Sequence, residues 1–266
     1  MSADQMFPQI KRIAFDRNFI SEVSFELSYD LTFGLQSGQP QSLRQSVSED
    51  FPIYVEGSTT IDLPRWGEEG HVSASRPAHI FFNDVMQSAL IVSEVKTQVV
   101  TNDYVVYEKF RDLVSVGFEK LENSLTFGRL QQCKLSYTNK IPAVLVDQDD
   151  KTLANVLNSE LIGLLSVPSF AEGLMRSKQE FEISISENIS LEIFLTLPIS
   201  SFNEPSRNEY VLKSVFTSRR PGSLTGAINQ MDEMHGWSSR FFHWATTDEF
   251  RSHLGGLIIP EFTAKE

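Results

Sequence analysis

Thirteen residues, Asp232 to Trp244 (DEMHGWSSRFFHW), hold two tryptophans, two histidines, two acids and an arginine. A zinc pair on a helix wants histidines four apart with a third ligand, often with an intervening Glu in HExxH; here His235 and His243 are eight apart and no HExxH occurs. A serine triad can be drawn from Ser238 or Ser239, His235 and Asp232, yet neighbours on one helix do not align nucleophile, base and acid. No GxSxG elbow is present to supply one.

On a helical wheel Ala227, Met231, Met234, Trp237, Phe241 and Ala245 share one side, so core packing accounts for most of the aromatic content, and Trp237 and Phe241 are expected in the core. Glu233, Arg240 and Trp244 fall together on the outer side. They form either a solvated face or a protein-binding patch, since Trp and Arg anchor interfaces. Just upstream, SRRPGSLTG places Arg219 and Arg220 before a Pro-Gly turn, with Ser223 or Thr225 able to cap the helix and leave N–H groups for an anion. This is neither a P-loop nor a GxGxxG motif. Cys133 is the single cysteine, which excludes an internal disulfide and a multi-thiolate zinc site, and it reads as a small strand residue.

These residues need a frame to position them. From Ser21 to Phe33 apolar and polar residues alternate, the pattern of a half-buried strand. IYVEGSTTIDL, HIFFNDVM and ALIVSEVKTQVV predict three further strands, paired antiparallel because the breaks are too short for helical crossovers. Asn102 or Asp103 caps a predicted helix from Tyr104 to about Asn123, with Val106, Phe110, Leu113, Gly117 and Leu121 on one stripe. Strand returns at Leu130 to Ile141, then at EFEISIS, SLEIFLTLPIS and EYVLKSVFTSRR, before a helix from about Leu224 to Thr246. The expected fold is α+β, a largely antiparallel sheet with two long helices in one domain. The order allows two similar strand-strand-helix halves, 1–142 and 151–266, joined by an acidic connector.

Two segments carry a family resemblance: LSYTNKI, Leu135 to Ile141, and the C-terminal MDEMHGWSSRFFHWATTDEFRSHLG. The first resembles an LRYINRI strand and the second a closing His-containing helix, both found in a sporadically distributed prokaryotic family of about this length with no assigned activity. Ser136 and Lys140 stand where that family has arginines. The resemblance marks Tyr137, Asn139 and His235 as positions to examine; an internal hydrogen-bonding role is expected for Asn139 and for His235.

The formal charge of −12 repels a phosphate backbone, and no basic run offsets it, so nucleic acid is not an expected partner. No window approaches the roughly 18 apolar residues of a membrane span, and no signal-peptide core opens the chain, so a cytoplasmic protein without a membrane partner is expected. No metal or cofactor is implied. The expected function is non-enzymatic: a binding protein working with another protein, with a homo-oligomer also compatible and a defence or toxin-neutralising role conceivable from the family's patchy distribution. The alternative is an enzyme or sensor that binds a phosphorylated or nucleotide-like small molecule in a cleft between the halves, through Lys140, Arg219, Arg220 and a histidine.

Overall fold

The computed structural model describes residues 3–10, 13–15, 17–30, 40–64, 71–122, 127–142, 153–163, 178–196, 209–219 and 221–258. It mixes helix and strand, with a large antiparallel sheet of nine strands. In chain order the elements are α1 (Ala3–Met6), β1 (Ile13–Phe15), β2 (Ile20–Tyr29), α2 (Pro40–Val47), β3 (Ile53–Pro64), β4 (His71–Phe82), β5 (Ser88–Ser93), β6 (Lys96–Thr101), α3 (Tyr107–Glu122) and β7 (Leu130–Pro142). They continue with α4 (Leu153–Val156), α5 (Ser159–Ile162), β8 (Lys178–Ser184), β9 (Ile189–Thr196), β10 (Glu209–Arg219), α6 (Leu224–Ala245), α7 (Asp248–His253) and β11 (Gly256–Ile258). The sheet order is β3-β4-β5-β6-β2-β7-β10-β9-β8, and β1 and β11 form a separate pair. No helix among the described residues is long and apolar enough to cross a membrane.

Two compact units divide the chain, and neither is a contiguous half. One comprises 1–22, 136–217 and 232–266, the other 23–135 and 218–231. The expected acidic connector lies outside the described residues.

In the second unit, strand register builds one row of side chains across five strands: Tyr54, Phe81, Leu90, Val99 and Phe25. The last four are buried, because α3 lies over this face and sets Phe118 against Phe25 with ring centroids 5.7 Å apart. The buried stripe of α3 is Tyr107, Phe110, Val114, Gly117, Phe118 and Leu121, rotated from the predicted one so that Val106 and Leu113 fall at its margin. Four strands replace the three expected between Phe51 and Thr101. ALIVSEVKTQVV breaks into β5 and β6 at Glu94-Val95, where the Ser93 hydroxyl accepts from Lys96 N–H and donates to Lys96 O. A side-chain hydroxyl closes this turn where glycine or asparagine would have announced it.

In the first unit β9 alternates strictly, burying Ile189, Leu191, Ile193 and Leu195 and leaving Ser190, Glu192, Phe194 and Thr196 half-buried. Phe216 on β10 meets Phe241 on α6, and Phe241 in turn meets the fully buried Phe7. The end of α6 is stitched down by the α4–α5 segment: Asn158 N–H donates to Ala245 O and its amide Nδ2 to Trp244 O. Thr247 then caps α7 by accepting from Phe250 N–H.

Candidate functional site

Within the first unit, β7 and α6 bring two marked residues together. The Tyr137 hydroxyl and His235 Nδ1 share a hydrogen bond of 3.0 Å, either group able to donate. Tyr137 is buried and His235 half-buried, so the pair sits at the margin of the helix stripe. Asn139, also buried, spends its Nδ2 on Leu212 O at 3.4 Å, which ties β7 to β10. Lys140 is half-exposed and lies 3.8 Å from Glu209, a geometry of little energetic weight at the surface.

The outer face of α6 differs from the expected exposed patch. Arg240 retains only 13% of its side-chain exposure. Its Nε donates to Phe7 O at 2.7 Å, its NH2 group to Asp4 Oδ1 at 2.6 Å, and its guanidinium lies 3.9 Å from the centroid of the Trp237 ring. Trp244 packs edge-on against Phe7 at 5.4 Å. Glu233 alone of the three predicted partner residues is exposed. Trp237, expected in the core, is half-buried under Arg240, and Ser238 takes the buried position beside it. The correction has a simple cause: the segment Asp4–Phe7 folds over a face that the helical wheel alone assigns to solvent.

In the second unit Arg219 is exposed at the end of β10, and Arg220 lies outside the described residues. Cys133 is buried and its thiol is pushed up to about 12 by that burial, so it stays protonated and unreactive near neutral pH. Ser223 caps the turn into α6 by accepting from Gly226 N–H at 3.0 Å. Among the described residues no group of three or more His, Cys, Asp or Glu side chains is placed to hold a metal.

Two further features of this unit escaped sequence reasoning. On the β3–β4 ladder the Tyr54 hydroxyl lies 2.9 Å from His79 Nδ1 and 3.3 Å from Glu56 Oε1, and exposed Arg44 of α2 stands 5.4 Å from the Tyr54 ring centroid. Burial lowers the His79 pKa against the opposing pull of Glu56, and so favours the neutral ring. The Tyr54 phenol is raised, first by burial and then by Glu56. Alternation puts Tyr54 and Glu56 on one face of β3, and the strand register, which pairs Glu56 with His79, adds the histidine.

The second feature is the β4–β5 turn. Val85 and Met86 are 60% and 56% exposed, and Val105, after β6, is also 56% exposed. Asn102 N–H donates to Gln87 O, which sets the two segments side by side. Met86 adopts φ 55, a left-handed conformation that costs a non-glycine residue energy. Asn83 closes the turn with four hydrogen bonds: its Oδ1 accepts from Gln87 N–H and Ser88 N–H, its carbonyl from Met86 N–H, and its N–H donates to Ser88 O.

No family model matches the chain. No curated protein matches it either. Among solved structures it is similar to the TBP of Methanococcus jannaschii, at 11% identity over 86% of this chain and 98% of that one, with a TM-score of 0.26. A likeness of that size carries no statement about fold or function.

Chemically, two of the predicted anion-binding residues have partners within the first unit. Lys140 faces Glu209, and His235 is engaged with a buried tyrosine. What each unit does offer is different: a closed polar pair in the first and, in the second, exposed apolar side chains on a hydrogen-bonded turn.

Proposed function

We propose that the protein is a soluble, cytoplasmic, non-enzymatic binding protein, an accessory component that acts through contact with another protein. One observation carries the reading: three of the five exposed large hydrophobic side chains among the described residues, Val85, Met86 and Val105, stand on adjoining segments of one unit. Scattered exposed apolar residues are ordinary, whereas grouped ones mark places where water is to be displaced. Methionine is enriched in interface cores because its flexible, polarisable side chain adapts to irregular pockets. The acidic composition and lone cysteine fit a reducing compartment and a soluble chain.

The test is affinity isolation of the tagged full chain at native abundance, with mass spectrometry of proteins and small molecules, followed by reconstitution with the purified partner. A protein that returns a stoichiometric complex in a titration is expected. Stoichiometric recovery of a small molecule that the purified chain then converts would replace this reading with an enzymatic one.

A further inference from the structure

We infer that the turn Val85-Met86, together with Val105 on the adjoining segment, is an anchor that enters an apolar pocket bordered by Lys or Arg side chains on a partner protein. The inference rests on the binding reading above and names the surface and the chemistry it recognises.

The first argument is conformational. A turn closed by Met86 N–H to Asn83 O and followed by a left-handed residue is a recurrent hairpin geometry whose left-handed position is usually glycine, because a Cβ is disfavoured there. Here that position carries methionine, at φ 55 and 56% exposed. More than half of that side chain faces solvent, so packing within its own chain offsets the strain only in part. Strain held in place by a surrounding hydrogen-bond frame is the mark of a preorganised site. The four bonds of Asn83 are that frame, and they spare a partner the cost of ordering the turn.

The second argument is electrostatic and selects the occupant. Asp84 adjoins Val85, Asp103 lies two residues before Val105, and both are exposed in a chain of net charge −12. Exposed aspartates next to apolar side chains repel anionic lipid headgroups and would oppose themselves across a two-fold axis with a second copy. A pocket with a basic border satisfies both the apolar and the charged part, and long-range attraction would speed encounter.

The experiment places a benzophenone amino acid at Val85 or Val105 of the full chain, with exposed Gln45 on α2 as control, and irradiates intact cells. Adducts from both tip positions to one protein, absent from Gln45, are expected. The captured protein is then purified and titrated. Met86→Asp and Val105→Asp should each weaken binding at least about tenfold, with melting temperature unchanged for Val105→Asp. Salt that shortens the Debye length to about 3 Å should weaken the wild-type complex as well. An adduct to lipid or to a second copy of this chain, no adduct above the control, or unchanged affinity of both variants would overturn the inference. A partner isolated as above but never cross-linked at the tip removes this surface and leaves the binding reading standing, whereas an empty isolation removes that reading itself.

Discussion

Arg240 with Trp244 on α6, and Val85 with Met86 on the β4–β5 turn, are both groups that water solvates poorly or holds only at a cost. The molecule treats them in opposite ways. Arg240 and Trp244 meet the segment Asp4–Phe7, where a buried phenylalanine, a backbone carbonyl and an aspartate fill the places an interface partner would take. Val85 and Met86 meet nothing of the kind and remain more than half exposed on a hydrogen-bonded frame. The residue types favoured at interfaces thus report a demand for desolvation without saying whether the same chain meets it. Exposure combined with strain says more, since a side chain that sits in a costly conformation and stays more than half in water points to a use outside the fold.

The largest effect should come from opening the covered region. Phe7 is fully buried and touches both Phe241 and Trp244. Phe7→Ala should destabilise by about 3–5 kcal/mol, the usual cost of truncating a buried aromatic ring, measured by thermal or denaturant unfolding of the full chain. Wild-type stability would mean that the segment rests on α6 without holding it, and the contrast between the regions would collapse. Arg240→Ala should cost less, about 1.5–3 kcal/mol for hydrogen bonds made by a charged group, because Asp4 is itself largely exposed and water screens part of the pair. A variant at Arg240 that keeps its stability while losing partner binding would reinstate α6 as an external surface.

A smaller effect concerns pH. The His243 pKa is lowered from 6.5, first by burial and then by Arg251, against a weaker opposing pull from Asp248. The folded state therefore binds this proton less readily than the unfolded chain, so its contribution is whole above the ordinary value of 6.5 and is lost as pH falls through the window below it. Thermal stability should drop between about pH 7 and about pH 5, and His243→Gln should show a shallower drop over that interval. An identical pH profile for both proteins would remove His243 from the account.

The parts of this architecture that the sequence makes legible are those with local cause. Alternation in Ile189–Thr196 and the 3.6 period of Leu224–Ala245 follow from which side of an element meets apolar neighbours. The pairing of Tyr137 with His235 was approachable because both were already singled out and the periodicity places His235 at the stripe's edge. Three things were not legible, and each depends on chain segments far apart or on an unmarked turn. Asp4–Phe7 over α6 joins residues 233 or more positions apart. The Tyr54–His79–Glu56 cluster depends on strand register. The β5–β6 turn uses Ser93 and Lys96 with no glycine. A charge sign alone does not say what a lysine will meet: within the first unit Lys140 lies 3.8 Å from Glu209.

The smallest expected effect is the most discriminating, because its sign is opposite to that of the others. Met86→Gly removes an exposed side chain and relieves a left-handed residue of its Cβ, at φ 55. Two terms compete. Glycine makes the unfolded chain more flexible and so lowers stability by roughly 0.5–1 kcal/mol, while relief of the strain returns roughly 1–2 kcal/mol. The net should be a gain of up to about 1 kcal/mol, since more than half of the side chain is in water, and the bond that Met86 gives Asn83 comes from its backbone N–H, which glycine also has. Denaturant midpoints of wild type, Met86→Gly and Met86→Ala resolve the terms, because alanine keeps the Cβ strain and should show no gain. A loss of stability in the glycine variant would show that methionine earns its position within the fold, and the turn would then belong with the covered region. A gain leaves the methionine as a side chain the folded protein carries at its own expense, which is what a group kept for another molecule should be.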